Sequence, residues 1–195
     1  MSQSQKYNKL IKRLDQLKVN LLPSVRGKGY YNKKEQDFMR GYRLLVHAEL
    51  EAYFEERAKD KAIKAYKDWD TKGIKSNILV ALVAYSDANL GSIKSEPDIH
   101  KRVNKALTTY ITFLKKNNGV KEDNILSILL PIGIKPAQLD QTWLNVMTSF
   151  GASRGEVAHN SHKTVSPIDL VTELTTVTHI INELKNVDTI INSLK

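Results

Sequence analysis

Arg154 and His159 stand five positions apart in the stretch Ser153-Arg154-Gly155-Glu156-Val157-Ala158-His159. Arginine is a permanent cation whose planar fork of donors suits phosphate. Histidine, with an unperturbed pKa of about 6.5, takes and gives protons near neutrality. A phosphate binder and a proton shuttle are the minimum equipment for cutting RNA without a metal. On a helix, residues five apart are rotated by about 140° and separated by about 7.5 Å along the axis. One chain alone therefore makes a poor cleft from this pair. Two copies related by a two-fold axis would present the same patch twice and line one groove with two arginines and two histidines. The alternative reading is a surface arginine beside a capping or buried histidine.

Other residues join or leave this constellation by spacing. His162, three residues after His159, either reaches the same groove or is a loop histidine. His159 and His162 could supply half of a metal site. No Asp or Glu follows at a supporting helical spacing, so no metal and no cofactor are expected. Glu156 either steadies Arg154 or His159, or faces water. Arg43 lies eight residues before Glu51, about two turns away on nearly the same face, where it could line an anionic groove. His47 and Glu51, four apart, read as a surface pair. His100 and His179 carry no signal. The loop Arg26-Gly27-Lys28-Gly29-Tyr30-Tyr31 mixes cations with rings, as single-stranded RNA binders do; a solvated loop with tucked tyrosines is the bland alternative.

The wider pattern resembles a known family. The segment Phe150-Gly-Ala-Ser-Arg154-Gly-Glu-Val-Ala-His159-Asn-Ser161, followed by Ser166-Pro167-Ile168-Asp169 at the start of a last helix, resembles the arginine-x4–6-histidine motif of HEPN domains. Upstream, Arg43-Leu-Leu-Val-His-Ala-Glu-Leu-Glu51-Ala-Tyr-Phe resembles the early HEPN helix. The two matches cover roughly Phe38 to Leu194, and the subgroup most resembled is the stand-alone RiboL-PSP-like HEPN proteins. The resemblance implies an all-α single-domain bundle and a metal-independent endoribonuclease with a composite site at a dimer interface. It also implies that Glu51 faces the site and pairs with a cation such as Arg154. A toxin–antitoxin or phage-defence setting follows from the resemblance alone, with an antitoxin as a further partner. Gly155 departs from the pattern, since active members usually carry a polar residue after the motif arginine. It keeps open a second class of function, an inactive HEPN-like module that binds RNA or a partner protein. A third is a structural helical dimer in which the Arg–His pair is incidental.

Composition sets the bounds. The chain has 195 residues, 41% hydrophobic and 26% charged, enough for one well-packed domain and marginal for two. Its net charge of +9 and pI near 9.5 favour a polyanionic partner. Cysteine is absent, which excludes disulfides and thiolate metal sites. The polar start Met1-Ser-Gln-Ser-Gln-Lys-Tyr-Asn has no signal-like core, and no apolar run nears the ~20 residues needed to span a bilayer. The expectation is a cytoplasmic protein without membrane contact.

The elements that must position these residues read as helices throughout. Leu10, Leu14, Leu17 and Leu21 predict an amphipathic helix that stops near Pro23. A long helix from about Lys33 to Trp69 carries Phe38, Tyr42, Leu45, Glu49, Ala52 and Tyr53 along one side, with Gly73 as its stop. Asn77–Tyr85 predicts a short helix buried on most sides, with a strand as the competing reading. A helix from about Asp98 to Lys116 turns Val103, Leu107, Tyr110, Ile111 and Leu114 inward. A short helical turn follows over Asn124–Leu130. The motif helix begins near Asp140 with Trp143, Val146, Met147 and Phe150 as its stripe. Ser166 and Pro167 predict the start of the last helix. The sum is a bundle of about five to seven helices: a single domain over residues 1–195, with residues 1–32 as an N-terminal helix and basic loop, and 33–195 as the core bundle.

Overall fold

A computed structural model describes residues 2–27, 29–86, 98–159 and 166–195, with side chains omitted from 156 to 159. Among the described residues the fold is all-α. Seven α-helices run α1 (Gln5–Leu21), α2 (Lys33–Lys72), α3 (Asn77–Ser86), α4 (Ile99–Leu114), α5 (Glu122–Leu129), α6 (Gln141–His159) and α7 (Leu170–Ser193), with short 3-10 turns at Leu130–Ile132 and Pro136–Gln138. No helix among these residues is long and apolar enough to cross a membrane.

The chain divides into two compact units, neither contiguous in sequence. The first comprises Met1–Tyr53, Gly119–Glu122 and Leu139–Thr189. In α1, Leu10, Leu14 and Leu17 are buried, as their spacing predicts. Met39, Tyr42, Val46, Leu50 and Tyr53 come from α2, Trp143, Leu144, Met147 and Phe150 from α6, and Val177, Ile180, Leu184 and Val187 from α7. Burying each such side chain contributes about 1.5–3 kcal/mol. The stripe on α2 keeps Tyr42 and Tyr53 of the expected one and corrects two other positions by a residue. Phe38 and Leu45 are exposed, while their neighbours Met39 and Val46 point inward. Glu49 is at the surface, paired with Arg13 at 2.9 Å.

Polar groups in this unit are tied across long sequence distances. Ser4 caps α1 by accepting the Tyr7 N–H. Its own N–H and hydroxyl donate to the Asp188 carboxylate at 2.7 and 2.6 Å. The Tyr53 hydroxyl donates to the same carboxylate at 2.7 Å. Asp188 is fully buried, and buried charge is tolerated only when paired and hydrogen-bonded. The last helix starts three residues later than Pro167 suggests. Ile168 donates its N–H to Gln36 Oε1 at 2.8 Å and accepts from Gln36 Nε2 at 3.1 Å, so its backbone groups serve Gln36 instead of a helix. Asp169 then takes the capping role, accepting the Thr172 N–H at 2.7 Å; that bond holds its carboxyl below the usual range.

The second unit comprises Phe54–Asn118, Asp123–Gln138 and Ile190–Lys195. Gly73, with φ +67°, closes α2, donating to the Trp69 carbonyl at 2.8 Å. A residue with a Cβ is strained in that conformation. Helix α3 is a helix and not a strand, but it is buried on one side only: Ile78, Leu79 and Leu82 face inward, whereas Val80 is 69% and Tyr85 58% exposed. Asp98 caps α4 by accepting from the His100 and Lys101 N–H groups. Val103, Ala106, Leu107, Tyr110 and Leu114 form its inner face, and the Tyr110 hydroxyl donates to the Ile128 carbonyl at 2.5 Å. Burial pushes that phenol well above its ordinary pKa.

Candidate active site

Helix α6 is started by Asp140, whose carboxylate accepts the Trp143 N–H at 2.7 Å. Its inner stripe runs from Trp143 to Phe150. At Gly151 a methyl group would lie 2.9 Å from Lys121 Cγ. The missing side chain thus admits the chain's own Val120–Lys121 segment, and no ligand enters there. That segment is fastened to α6 by the Glu122 N–H, which donates to Thr148 Oγ1 at 3.1 Å, and by Gln141, whose side-chain amide donates to Glu122 Oε1 at 3.1 Å. Arg154 comes one turn after Phe150, so the two share a helix face. The same helix continues to His159. Arg154 is half-buried, and its guanidinium has no hydrogen-bond or ion-pair partner among the described residues.

Helix α2 supplies the opposing turn. His47 is 1% exposed, and its ring stacks on Phe150 with centroids 6.3 Å apart and planes at 23°. Burial first, and then the charge of Arg154, push the imidazole down from 6.5 to about 4. It is therefore neutral at pH 7. Glu51 Oε2 lies 3.7 Å from His47 Nδ1, too far for a hydrogen bond and not an ion pair while the ring is neutral. Nδ1 has no hydrogen-bond partner among the described residues, which costs about 1–3 kcal/mol for a buried polar atom. The other Glu51 oxygen accepts the Gly119 N–H at 2.6 Å. The structure thus gathers Arg154, Phe150, His47, Glu51 and the Gly119–Glu122 segment in one place.

His47 corrects the reading of a surface pair: it is buried at the junction of α2 and α6. Its position three residues before Leu50 and one after Val46, on the inner stripe, is the signal that could have found it. Of the candidate residues, Arg154 and Glu51 both approach His47, from α6 and α2. Arg43 is engaged elsewhere, in a forked ion pair with the buried Glu173. Arg26 forms a fork with Glu35 and lies over the Tyr31 ring at 5.3 Å, and its N–H donates to the Tyr31 hydroxyl at 3.1 Å. Those bonds, with the Asn32 N–H, hold the Glu35 carboxyl below the usual range. Tyr30 is 82% exposed. Lys28, His162 and the side chains of Glu156 and His159 lie outside the described residues.

Gly155 faces open space: a methyl group there meets nothing within 4 Å. Gly155→Ala is expected to raise stability by about 1 kcal/mol, because glycine costs that much against alanine inside a helix. Thermal unfolding should show a Tm higher by about 2–4 °C. A lower Tm would mean that something occupies that space, such as a second copy of the chain.

Arg154 thus brings a fixed cation to a neutral buried imidazole and a carboxylate held by a backbone N–H, and an arginine's planar fork suits a phosphate. No curated protein and no solved structure matches the chain. One family model does, RiboL-PSP-HEPN, over residues 2–191. With that match across an all-helical fold, the chain belongs to the RiboL-PSP-HEPN family.

Proposed function

We propose that this protein is a metal-independent endoribonuclease that works as a homodimer, in a toxin–antitoxin or phage-defence setting. The observation that carries the reading is Arg154, held on a continuous helix with His159 and left without a partner among the described residues. The reaction needs only the substrate's own nucleophile. A base takes the proton of the ribose 2′-hydroxyl, O2′ bonds to phosphorus, and the P–O5′ bond breaks as an acid protonates O5′. The products are a 2′,3′-cyclic phosphate and a 5′-hydroxyl. In this reading His159 exchanges the proton, and Arg154 stabilises charge building on the phosphoryl oxygens. DNA lacks the 2′-hydroxyl and should resist.

The test is to incubate the purified chain with total RNA in EDTA and analyse the new ends. Cleavage leaving 5′-hydroxyl ends is expected in the parent and not in Arg154→Ala. Light scattering should give a dimer at micromolar concentration; a monomer that still cleaves would sink the composite site. Binding should weaken with salt, log K falling by about 0.7 per decade for each phosphate neutralised on a single strand. Flat affinity would point away from nucleic acid. Binding to RNA without any cleavage would favour the inactive module, with Gly155 as the residue to examine first.

A further inference from the structure

In the unit that does not hold Arg154, partly exposed rings stand beside basic side chains. At the end of α2, Trp69 stacks on His100 of α4 with ring centroids 4.5 Å apart and planes at 25°. Tyr66 meets Trp69 edge-on at 6.1 Å. Three rings from two helices therefore form one platform. It is fixed from both sides. The Asn104 side-chain amide donates to the Tyr66 hydroxyl at 3.1 Å. The His100 N–H donates to the Asp98 cap at 2.8 Å, and its ring nitrogen lies 3.5 Å from Asp70. Yet the His100 side chain is 59% exposed, so the platform is not part of a core.

Beside it runs an open groove of about 440 Å³, lined by Tyr66, His100, Lys101, Asn104, Lys105 and Thr108 among others. The lining contains two rings, two lysines and side-chain amide and hydroxyl groups, and no aliphatic side chain. Bases offer π faces to rings, and phosphates offer charge to lysines. Helix α4 carries Lys101, Arg102 and Lys105 against the Asp98 carboxylate at its cap and Asp70 beside His100, so cations outnumber carboxylates there, the sign that RNA needs.

We propose that the Tyr66–Trp69–His100 platform and the Lys101/Lys105 wall bind a single-stranded stretch of RNA by base stacking, with no part taken by Arg154. That the ligand is RNA and not another single strand rests on the ribonuclease reading. The binding itself does not.

Tryptophan emission reads it directly. Of the two tryptophans, Trp143 is fully buried and donates its indole N–H to the Ile180 carbonyl at 3.3 Å. Trp69 is half-buried and stacked on the groove-lining His100, so its emission is the one that a ligand in the groove would change. The probe is a 2′-O-methyl oligouridine, which cannot be cleaved because O2′ is blocked. It should quench the emission of the full-length protein, and Trp69→Phe should abolish the change. His100→Ala should weaken binding about tenfold. Lys101→Ala and Lys105→Ala should each flatten the salt dependence by about 0.7 per decade. Circular dichroism checks that each variant is folded. His100→Ala should still cleave short RNA while losing the quench, and absence of cleavage in the parent would leave the quench in place, so this site and the catalytic reading can fail separately. The proposal is overturned if the oligonucleotide binds by anisotropy without quenching, or if His100→Ala binds like the parent. It is also overturned if a duplex or poly-glutamate quenches equally well.

Discussion

His159→Ala is expected to lower RNA cleavage by about 10²–10⁴-fold, the contribution of a general acid or base, while RNA binding and fold stay near those of the parent. Arg154→Ala should reduce both cleavage and binding, because its charge meets the phosphate in the ground state as well as the transition state. Arg154→Lys should recover binding better than cleavage, since an ammonium lacks the planar fork. If the site is shared across a two-fold axis, the two alanine variants should rescue each other. Randomly paired, half the dimers are mixed, and each mixed dimer regains one of two sites, giving roughly a quarter of parental activity. Cleavage by His159→Ala at the parental rate would remove the catalytic assignment. No recovery on mixing would mean that Arg154 and His159 act from the same chain.

The second large effect is on stability in mild acid. His47 has a folded-state pKa of about 4 against 6.5 for the exposed side chain. Between those values the unfolded chain binds a proton that the folded one refuses. Stability tied to His47 is therefore full above pH 6.5 and is lost as the pH falls through 6.5 toward 4. A difference of this size is worth about 3 kcal/mol at its limit, a large share of the 5–15 kcal/mol typical of a domain. The groups facing the ring are Phe150 and Arg154 on α6 and Glu51 on α2. Only Glu51 would welcome the proton. Urea unfolding of the parent and of His47→Gln at pH 7 and pH 4.5 should show a smaller pH-dependent loss in the variant. Equal losses in both would mean that His47 is as solvated as a surface histidine.

The sequence marks helix ends better than helix faces. Gly73 and Asp98 act through backbone geometry and capping, which are local, and both ends fall where these residues stand. Part of the α2 stripe was misplaced by a residue because Phe38 and Leu45 compete with Met39 and Val46 for the inner side, while Tyr42 and Tyr53 lie inward as expected. Both sets have helical spacing, and only the packing partners decide between them. The last helix begins late because Gln36, far away in sequence, claims both backbone groups of Ile168. The candidate site was legible in the same uneven way. Arg154 and His159 are visible as a motif on one stretch of chain. His47 was not, since a histidine four residues from a glutamate reads as a surface pair until Phe150 is known to cover it. The engagement of Arg43 by Glu173 and of Arg26 by Glu35 is likewise settled by partners that residue spacing does not reveal.

The bond between Ser4 and Asp188 joins residues 184 positions apart, and its consequence is one of timing. A growing chain emerges from its N-terminus, so α1 and the first half of α2 are made long before α6 and α7 can cover their apolar stripe. Arg154 is made before Ile180, whose carbonyl accepts the Trp143 indole N–H. A chain halted short of α7 carries the motif without the elements that hold it in place. Domains fold as units, so the first unit can close only once Asp188 has been released from the ribosome. The Ser4–Asp188 bond thus makes closure of the first unit a late event in synthesis, set by residues from the two ends of that unit.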